Sequence, residues 1–322
     1  MDKNKKKPKV SVCVVTYNQE NYIEDCILSV LAQRFDLDLE ILVGDDGSTD
    51  ETINAIERIC KEYPEVVKLY KHQVNLGASG NYQFLISQAV GDFIAHLDGD
   101  DFWLPGKLKM QVNFMESNEQ CIAVYTNALV VDKNKLLLGV FNNKQPELQN
   151  IDYLLQSGNY LNHSSMVYRA EFKGLLLSIK ENFIDYRIHC RFASKGLLGY
   201  LNSTLVVYRL GVETSMVSNV PDKVRERYWD ALLEACRGSK LDAAEMHGVG
   251  NFLGQIFYSS LRRRRLNYSF EWLQRVKREV ESDFYRIILL AIKNLLIFML
   301  IAIVSKLRNK LGCNRLKIFH SR

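Results

Sequence analysis

The 322-residue sequence predicts an α/β protein, a mostly parallel sheet flanked by helices with a helical C-terminal extension. Two observations carry that prediction. From Val10 to Leu97, short apolar runs alternate with segments of helical spacing, the pattern of β-α-β units. From about Val220 onward the spacing is helical alone, and the charge changes sign with it. Residues 1–220 hold 22 Lys and Arg against 27 Asp and Glu, whereas residues 221–322 hold 20 against 10. The expected division is therefore an α/β domain over 1–215 and a basic, apolar helical region over 216–322.

The elements follow in order. Val10 to Val15 is a Val-rich run suited to a buried strand, ending at Thr16-Tyr17-Asn18. Ile23, Ile27, Val30 and Leu31 recur at helical spacing over Tyr22 to Gln33. Glu40 to Gly44 is a second strand, ending at Asp45-Asp46-Gly47-Ser48. Ser48, Thr49 and Asp50 then offer capping side chains to a helix carrying Ile53, Ile56 and Cys60. Val66 to Lys71 is a third strand, ending at Asn75-Leu76-Gly77, and helical spacing returns over Tyr82 to Val90. Asp92 to Leu97 is a fourth strand, ending at Asp98-Gly99-Asp100-Asp101. Beyond it, a helix is expected over Leu104–Ser117, strands over Cys121–Val131 and Leu136–Phe141, and a loop over Asn143–Asn150. Leu161–Tyr168 and Gly199–Tyr208 read as strands around a helix beginning near Asp185.

The strand ends carry the chemistry. In an open parallel sheet, ligands bind beyond the carboxyl ends of the strands. Four successive strands end in polar clusters that would line one rim. The acidic turn is the sharpest of them, because Asp98, Asp100 and Asp101 crowd one turn and repel. Oxygen ligands favour a hard ion, Mg²⁺ or Mn²⁺, which completes its shell with water and substrate phosphates. A solvated acidic loop explains one such turn; it does not explain four polar ends on one edge.

Composition narrows the classes. Apolar content of 47% and charged content of 25% are those of a globular protein. Seven cysteines without C-x-x-C spacing, and a Lys-rich start without an apolar signal core, lead us to expect a reducing cytoplasm. The basic tail implies an anionic partner. It lacks interleaved aromatics and any nucleic-acid module, so no nucleic acid is expected.

The clusters in this order resemble the family 2 inverting glycosyltransferases, which adopt the GT-A fold. The matching text is Val-Ser-Val-Cys-Val-Val-Thr-Tyr-Asn at 10–18, Val-Gly-Asp-Asp-Gly-Ser-Thr-Asp at 43–50, Asn-Leu-Gly at 75–77 and Leu-Asp-Gly-Asp-Asp at 97–101, with Trp103, Pro105, Lys107, Leu108 and Gln111 beyond. The resemblance is strong over residues 8–115 and continues more weakly to about 215.

It implies a nucleotide-sugar pocket built from Thr16, Tyr17, Asn18, Glu20, Asp46, Asn75, Gly77, Asp98 and Gly99. Tyr17, Asn18, Glu20 and Asp46 would hold the base, and a carboxylate can accept from uracil N3–H. Asp98 would serve ribose or metal, and Asp100 the metal bridging the diphosphate. The catalytic base would be Asp185, in Phe183-Ile184-Asp185-Tyr186 at a helix start. Each has a plainer alternative: Tyr17 as a packing aromatic, Asp46 as a turn residue, Asp185 as an N-cap. Trp103, His163 and Arg209 are candidates for the acceptor or diphosphate side, with His163 equally suited to a structural role. The sequence departs from the family at Ile184, where an acidic residue is common, and at Gly211, where a His is common. Arg209 or Ser215 would then replace that His. The Gln-x-x-Arg-Trp of processive members is missing, since His189-Cys190-Arg191-Phe192 does not supply it, which implies transfer of one sugar per encounter.

Ile287 to Val304 is apolar but for Lys293 and Asn294, and at 18 residues it is barely long enough to span a bilayer. Arg262–Arg265 precede it, and Lys306, Arg308, Lys310, Arg315 and Lys317 follow. A single span would export its basic end, against the positive-inside tendency. In-plane insertion keeps both basic flanks at an anionic leaflet. Burial within a homo-oligomer and true spanning are the alternatives. The expectation is a peripheral enzyme on the inner face of the plasma membrane, adding one sugar from a UDP-sugar to a lipid-linked glycan acceptor in surface polysaccharide assembly. Two other classes are weighed against it. A sugar-phosphate nucleotidyltransferase needs a Gly-rich triphosphate loop where this chain has Thr16-Tyr17-Asn18-Gln19, and a non-catalytic membrane- or nucleic-acid-binding protein, which the Arg run would suit, is at odds with the acidic body.

Overall fold

In the computed structural model, which describes residues 9–211, 221–236, 238, 240–281, 283–310 and 317–320, Val10–Thr16 forms the central strand β1, buried at every position. Burial on both faces follows from parallel neighbours whose crossover helices cover the sheet. Helix α1 (Ile23–Leu31) leads to β2 (Leu39–Asp45), α2 (Thr52–Glu62) to β3 (Val67–Lys71), and α3 (Gly77–Gln88) to β4 (Phe93–Asp98). β2 and β3 add to one side of β1 in parallel, and β4 adds to the other. The strand order therefore reverses between β1 and β4, the switch point at which open α/β sheets bind ligands. Val12 and Val14 of β1 pack with Ile23, Ile27 and Val30 of α1 in the main core.

The second half of the sheet is mixed. β5 (Phe102–Trp103), α4 (Lys107–Ser117), β6 (Cys121–Val131), β7 (Leu137–Asn142) and β8 (Leu148–Gln149) follow, then α5 (Ile151–Ser157), β9 (Val167–Arg169), α6 (Lys173–Leu177), α7 (Asp185–Ala193) and β10 (Leu197–Arg209). β9 runs antiparallel to both β4 and β6, and β10 runs parallel to β6. The C-terminal part comprises α8 (Pro221–Ala235), α9 (Ala243–Arg263), α10 (Leu266–Glu279), α11 (Phe284–Lys310) and β11 (Lys317–His320).

Several expectations need correction. α3 starts at Gly77, before the expected Tyr82, because Gly77 takes φ +75° and turns the polar cluster directly into the helix. α2 has Glu51 as its N-cap, without a side-chain cap bond. Ser48 instead bonds Asp45, and Asp50 receives the Glu20 and Thr52 amides. Leu104–Gly106 precede α4, with Gly106 left-handed at its start. Residues 161–168 are not one strand: a 3-10 turn over His163–Ser165 precedes the short β9. The loop 143–150 contains β8, and the tail is not helical to its end, since β11 pairs in parallel with β7.

Two compact units emerge, Met1–Gln149 with Leu161–Arg227 and Leu316–Arg322, and Asn150–Tyr160 with Tyr228–Arg315. In the second, Gly250 and Gly254 of α9 let α11 approach: a Cβ at Gly250 would lie 2.5 Å from the Leu290 Cβ, and one at Gly254 2.9 Å from the Asn294 Cβ. Trp229, Phe252 and Trp272 pack ring to ring, with the Trp229 indole donating to Glu279 at 2.7 Å. α11 buries Ile287 and Ala291, whereas Tyr285, Leu289, Leu296, Leu300 and Ile303 are exposed.

Candidate active site

Three strand ends stand at one level. Thr16 pairs with Asp45 across β1 and β2, and Val15 pairs with Asp98 across β1 and β4. The Asp46 amide donates to the Thr16 carbonyl at 3.0 Å, so the second strand end folds over the first. Asp45, fully buried, holds its own turn: Oδ1 accepts from the Gly47 and Ser48 amides, and Oδ2 from the Ser48 hydroxyl. Of the Asp-Asp pair, Asp45 is thus the scaffold. Asp46 accepts from the Leu76 amide at 2.7 Å, while Asn75 Nδ2 donates to the Asp46 carbonyl and Asn75 Oδ1 accepts from Gly77. Burial raises the Asp46 carboxyl, against the lowering pull of the Leu76 and Gly77 amides. Tyr17 is 39% exposed on this rim.

Asn18 and Glu20 also have partners within the fold. Asn18 sits at φ +50°, and its Oδ1 accepts from the Thr49 amide at 2.8 Å. Glu20 Oε2 accepts from the Glu51 amide at 2.9 Å. These oxygens tie the first strand end to the start of α2, so both residues shape the rim.

The acidic turn separates its three carboxylates. Asp101, 1% exposed, points inward: Oδ1 accepts from the Arg209 amide at 2.9 Å and Oδ2 from the Ser164 hydroxyl at 2.6 Å. The Asp98 side chain is 43% exposed, with Oδ1 3.0 Å from His96 Nε2 and Oδ2 3.2 Å from Ser164 Oγ. Burial raises its carboxyl, but His96 and Ser164 outweigh that and hold it below the ordinary value. Burial, and next the neighbouring Asp98, push the Asp100 carboxyl up to about 7. Gly99 is required between them, because a Cβ there would lie 2.4 Å from Gln19 Oε1 and 3.0 Å from the Thr16 Cβ.

Two candidates for the acceptor or diphosphate side lie inside the protein. The Arg209 side chain is fully buried: Nη1 donates to the Asp100 carbonyl at 2.5 Å, Nη2 to Asp25 at 2.9 Å, and the guanidinium stacks on Tyr22 and Phe102. It clamps the turn from behind. Trp103 is buried, its indole donating to the Ser164 carbonyl at 2.8 Å with Lys107 above its ring. His163 is half-buried, with its ring 4.0 Å from that of His96 and 5.6 Å from that of His189. Burial, then His96 and His189, hold its imidazole well below the usual range. Ser215 lies outside the described residues.

Asp185 opens α7, and its Oδ1 accepts from the Tyr186 amide at 2.8 Å. Ile184 holds the N-cap position, and Asp185 is the first residue of the helix. Asp185 acts on the same hydroxyl as the acidic turn: burial, then Asp101, Asp100, Asp98 and Asp185, raise that of Tyr208 on β10.

Among the described residues no three His, Cys, Asp or Glu side chains form a metal cage. Asp98 and Asp100 nevertheless fit Mg²⁺ or Mn²⁺. Both are hard oxygen donors, and a cation beside them would offset the burial and the Asp98 repulsion that raise Asp100. His96 was missed at the sequence level, and Ser164 was read only as part of His163-Ser164-Ser165 on the donor or acceptor side. His96 had a signal, since residues two apart on a strand share a face. The bond of Ser164 to Asp98 had none, the two being 66 residues apart.

The family model described as glycosyl transferase family 2 matches residues 11–174. An uncharacterized glycosyltransferase of Haemophilus influenzae is 30% identical over 226 residues, 69% of this chain and 86% of that protein. An uncharacterized protein of Mycobacterium tuberculosis is 28% identical over 227 residues, and the match spans 69% of this chain but only 64% of the relative. S. aureus TarS 1-349 in complex with UDP-GlcNAc superposes with a TM-score of 0.59 at 19% identity, covering 89% of both chains. The mannosyltransferase PcManGT from Pyrobaculum calidifontis, in complex with GDP-Man and Mn²⁺, superposes with a TM-score of 0.57 at 17% identity, covering 90% of this chain and 81% of that one.

Proposed function

The chain belongs to glycosyl transferase family 2, with the GT-A fold, and on that premise we propose that it moves a single sugar, with inversion, from a UDP-sugar to a hydroxyl of a lipid-linked glycan. The observation that carries this reading is the alignment of Thr16, Asp45 and Asp98 at the β1–β4 switch point, with Asp46 folded over the same rim.

In this reading the rim divides by chemistry. Tyr17 and Asp46 receive the base, Asn75 and Gly77 hold Asp46 in place, and Thr16 and Gly99 form the floor on which the nucleotide lies. Asp98 and Asp100 hold Mg²⁺ or Mn²⁺, which would supply Lewis-acid stabilisation to the departing diphosphate. Asp185 takes the proton of the acceptor hydroxyl as it attacks the anomeric carbon from the face opposite the diphosphate. Arg209 and Trp103 act through the turn they hold. Catalysis is assigned to residues 1–215 and membrane attachment to 216–322. Among the described residues α11 is long and apolar enough to cross a membrane and exposes aliphatic side chains; the basic flanks Arg262–Arg265 and Lys306 favour in-plane binding at the anionic inner leaflet, where lipid-linked acceptors are presented.

The test is release of nucleoside diphosphate with Mn²⁺ across a panel of UDP-sugars and GDP-mannose. Turnover with a UDP-sugar is expected, and Asp100→Ala should abolish it while the circular dichroism of the fold is kept. Full activity of Asp100→Ala would reject the metal assignment, and turnover of GDP-mannose alone would reject the base assignment.

A further inference from the structure

His96 reaches the site from beneath. It is 2% exposed on β4, two residues before Asp98 and on the same face of the strand. Its ring packs 4.0 Å from that of His163 and meets the edge of Tyr82 at 4.5 Å, so its orientation is set by packing. Among the described residues Nδ1 has no hydrogen-bond partner, whereas Nε2 lies 3.0 Å from Asp98 Oδ1. A bond to a carboxylate requires hydrogen on Nε2, so the geometry selects that tautomer. The other oxygen of Asp98 is held more weakly. Ser164 has one hydroxyl proton, and Asp101 at 2.6 Å competes for it with Asp98 at 3.2 Å. The firm directional donor to the Asp98 side chain is therefore His96.

We propose that His96 is a positioning residue, which orients the half-exposed Asp98 carboxylate for the divalent ion and diphosphate of the donor without touching either. The proposal rests on the reading of Asp98 given above. A donor behind a ligating carboxylate fixes which lone pairs face the ligand, and losing such a partner typically weakens metal binding by about 10–100-fold. His96→Phe keeps the ring and its packing but removes the donor. His96→Gln keeps a donor near the position of Nε2.

The experiment measures Mn²⁺ binding by electron paramagnetic resonance in the presence of UDP, with UDP binding by calorimetry alongside. His96→Phe is expected to weaken Mn²⁺·UDP binding by about 10-fold, and His96→Gln to restore most of the loss. If the Phe variant does not fold, His96→Leu is read in its place. Wild-type affinity in the non-donating variant would overturn the proposal, as would a Gln variant as weak as the Phe one. A wild-type protein that binds no Mn²⁺·UDP would overturn the reading of the whole site, a result distinct from either.

Discussion

Asp101 and Asp98 belong to one turn and share the Ser164 hydroxyl, and yet Asp101 is buried with the Arg209 amide as a further donor, whereas Asp98 is half-exposed beside His96. The difference is one of partners. A buried carboxylate persists where amides and hydroxyls satisfy it, and here the Arg209 backbone amide serves Asp101, while the Arg209 side chain fixes the Asp100 carbonyl and the Asp25 carboxylate. Arg209→Met should therefore act on stability, lowering it by about 2–3 kcal/mol through lost charge-assisted bonds, as read by urea denaturation. A loss of turnover at unchanged stability would instead return Arg209 to the diphosphate. The histidines beneath the site predict an acid limb. Burial pushes the fully buried His189 down to about 3. Below its unfolded value of about 6.5, the unfolded chain binds a proton that the folded chain refuses. Its contribution is complete above that pH and falls by up to about 1.4 kcal/mol per pH unit below it. His189→Phe should flatten the stability profile between pH 6 and 4, and an unchanged slope would contradict the assignment.

Among the elements, α9 and α11 pair because glycines remove the side chains that would hold them apart. Gly250→Leu would drive a Cβ onto Leu290 and further carbons into α11. Overpacking of this kind costs about 1–3 kcal/mol. A lower denaturation midpoint and faster proteolysis within 284–310 are expected, and wild-type values for both would show that the close approach of the two helices does not matter. β11 shows a different dependence. Lys317–His320 has no strong strand signal, but Gly139 on β7 leaves room for its backbone, and His320 packs 4.5 Å from Phe141. An edge strand is recruited by the edge it finds, so its pairing is written in β7 as much as in its own four residues.

At the scale of the whole molecule, the proposed membrane attachment would rest on exposed residues and is best tested on them. Deleting residues 284–322 would remove β11 along with α11 and so confound attachment with the sheet. Replacing Leu289, Leu296 and Leu300, which are 67%, 60% and 61% exposed, by Gln leaves the buried Ile287 and Ala291 in place. Loss of flotation with phosphatidylglycerol vesicles is expected, with UDP-sugar turnover in solution unchanged. Flotation equal to that of the wild type would remove α11 as the anchor.

The sequence by itself determined the alternation of strands and helices, the polar strand ends and the acidic turn, because each depends on residues within a few positions of one another. Tyr17, Asp46, Asp98 and Asp100 are candidates named from such local patterns. The tertiary structure decided which polar residues face the rim and which support it. Asn18, Glu20, Trp103 and Arg209 read alike as candidate site residues, and the structure gives each a partner within the fold. Ser164 meets Asp98 across 66 residues of chain, and Arg209 meets Asp101 across 108. No local pattern encodes such distances; they follow from β9 and β10 packing beside the strands that carry the turn.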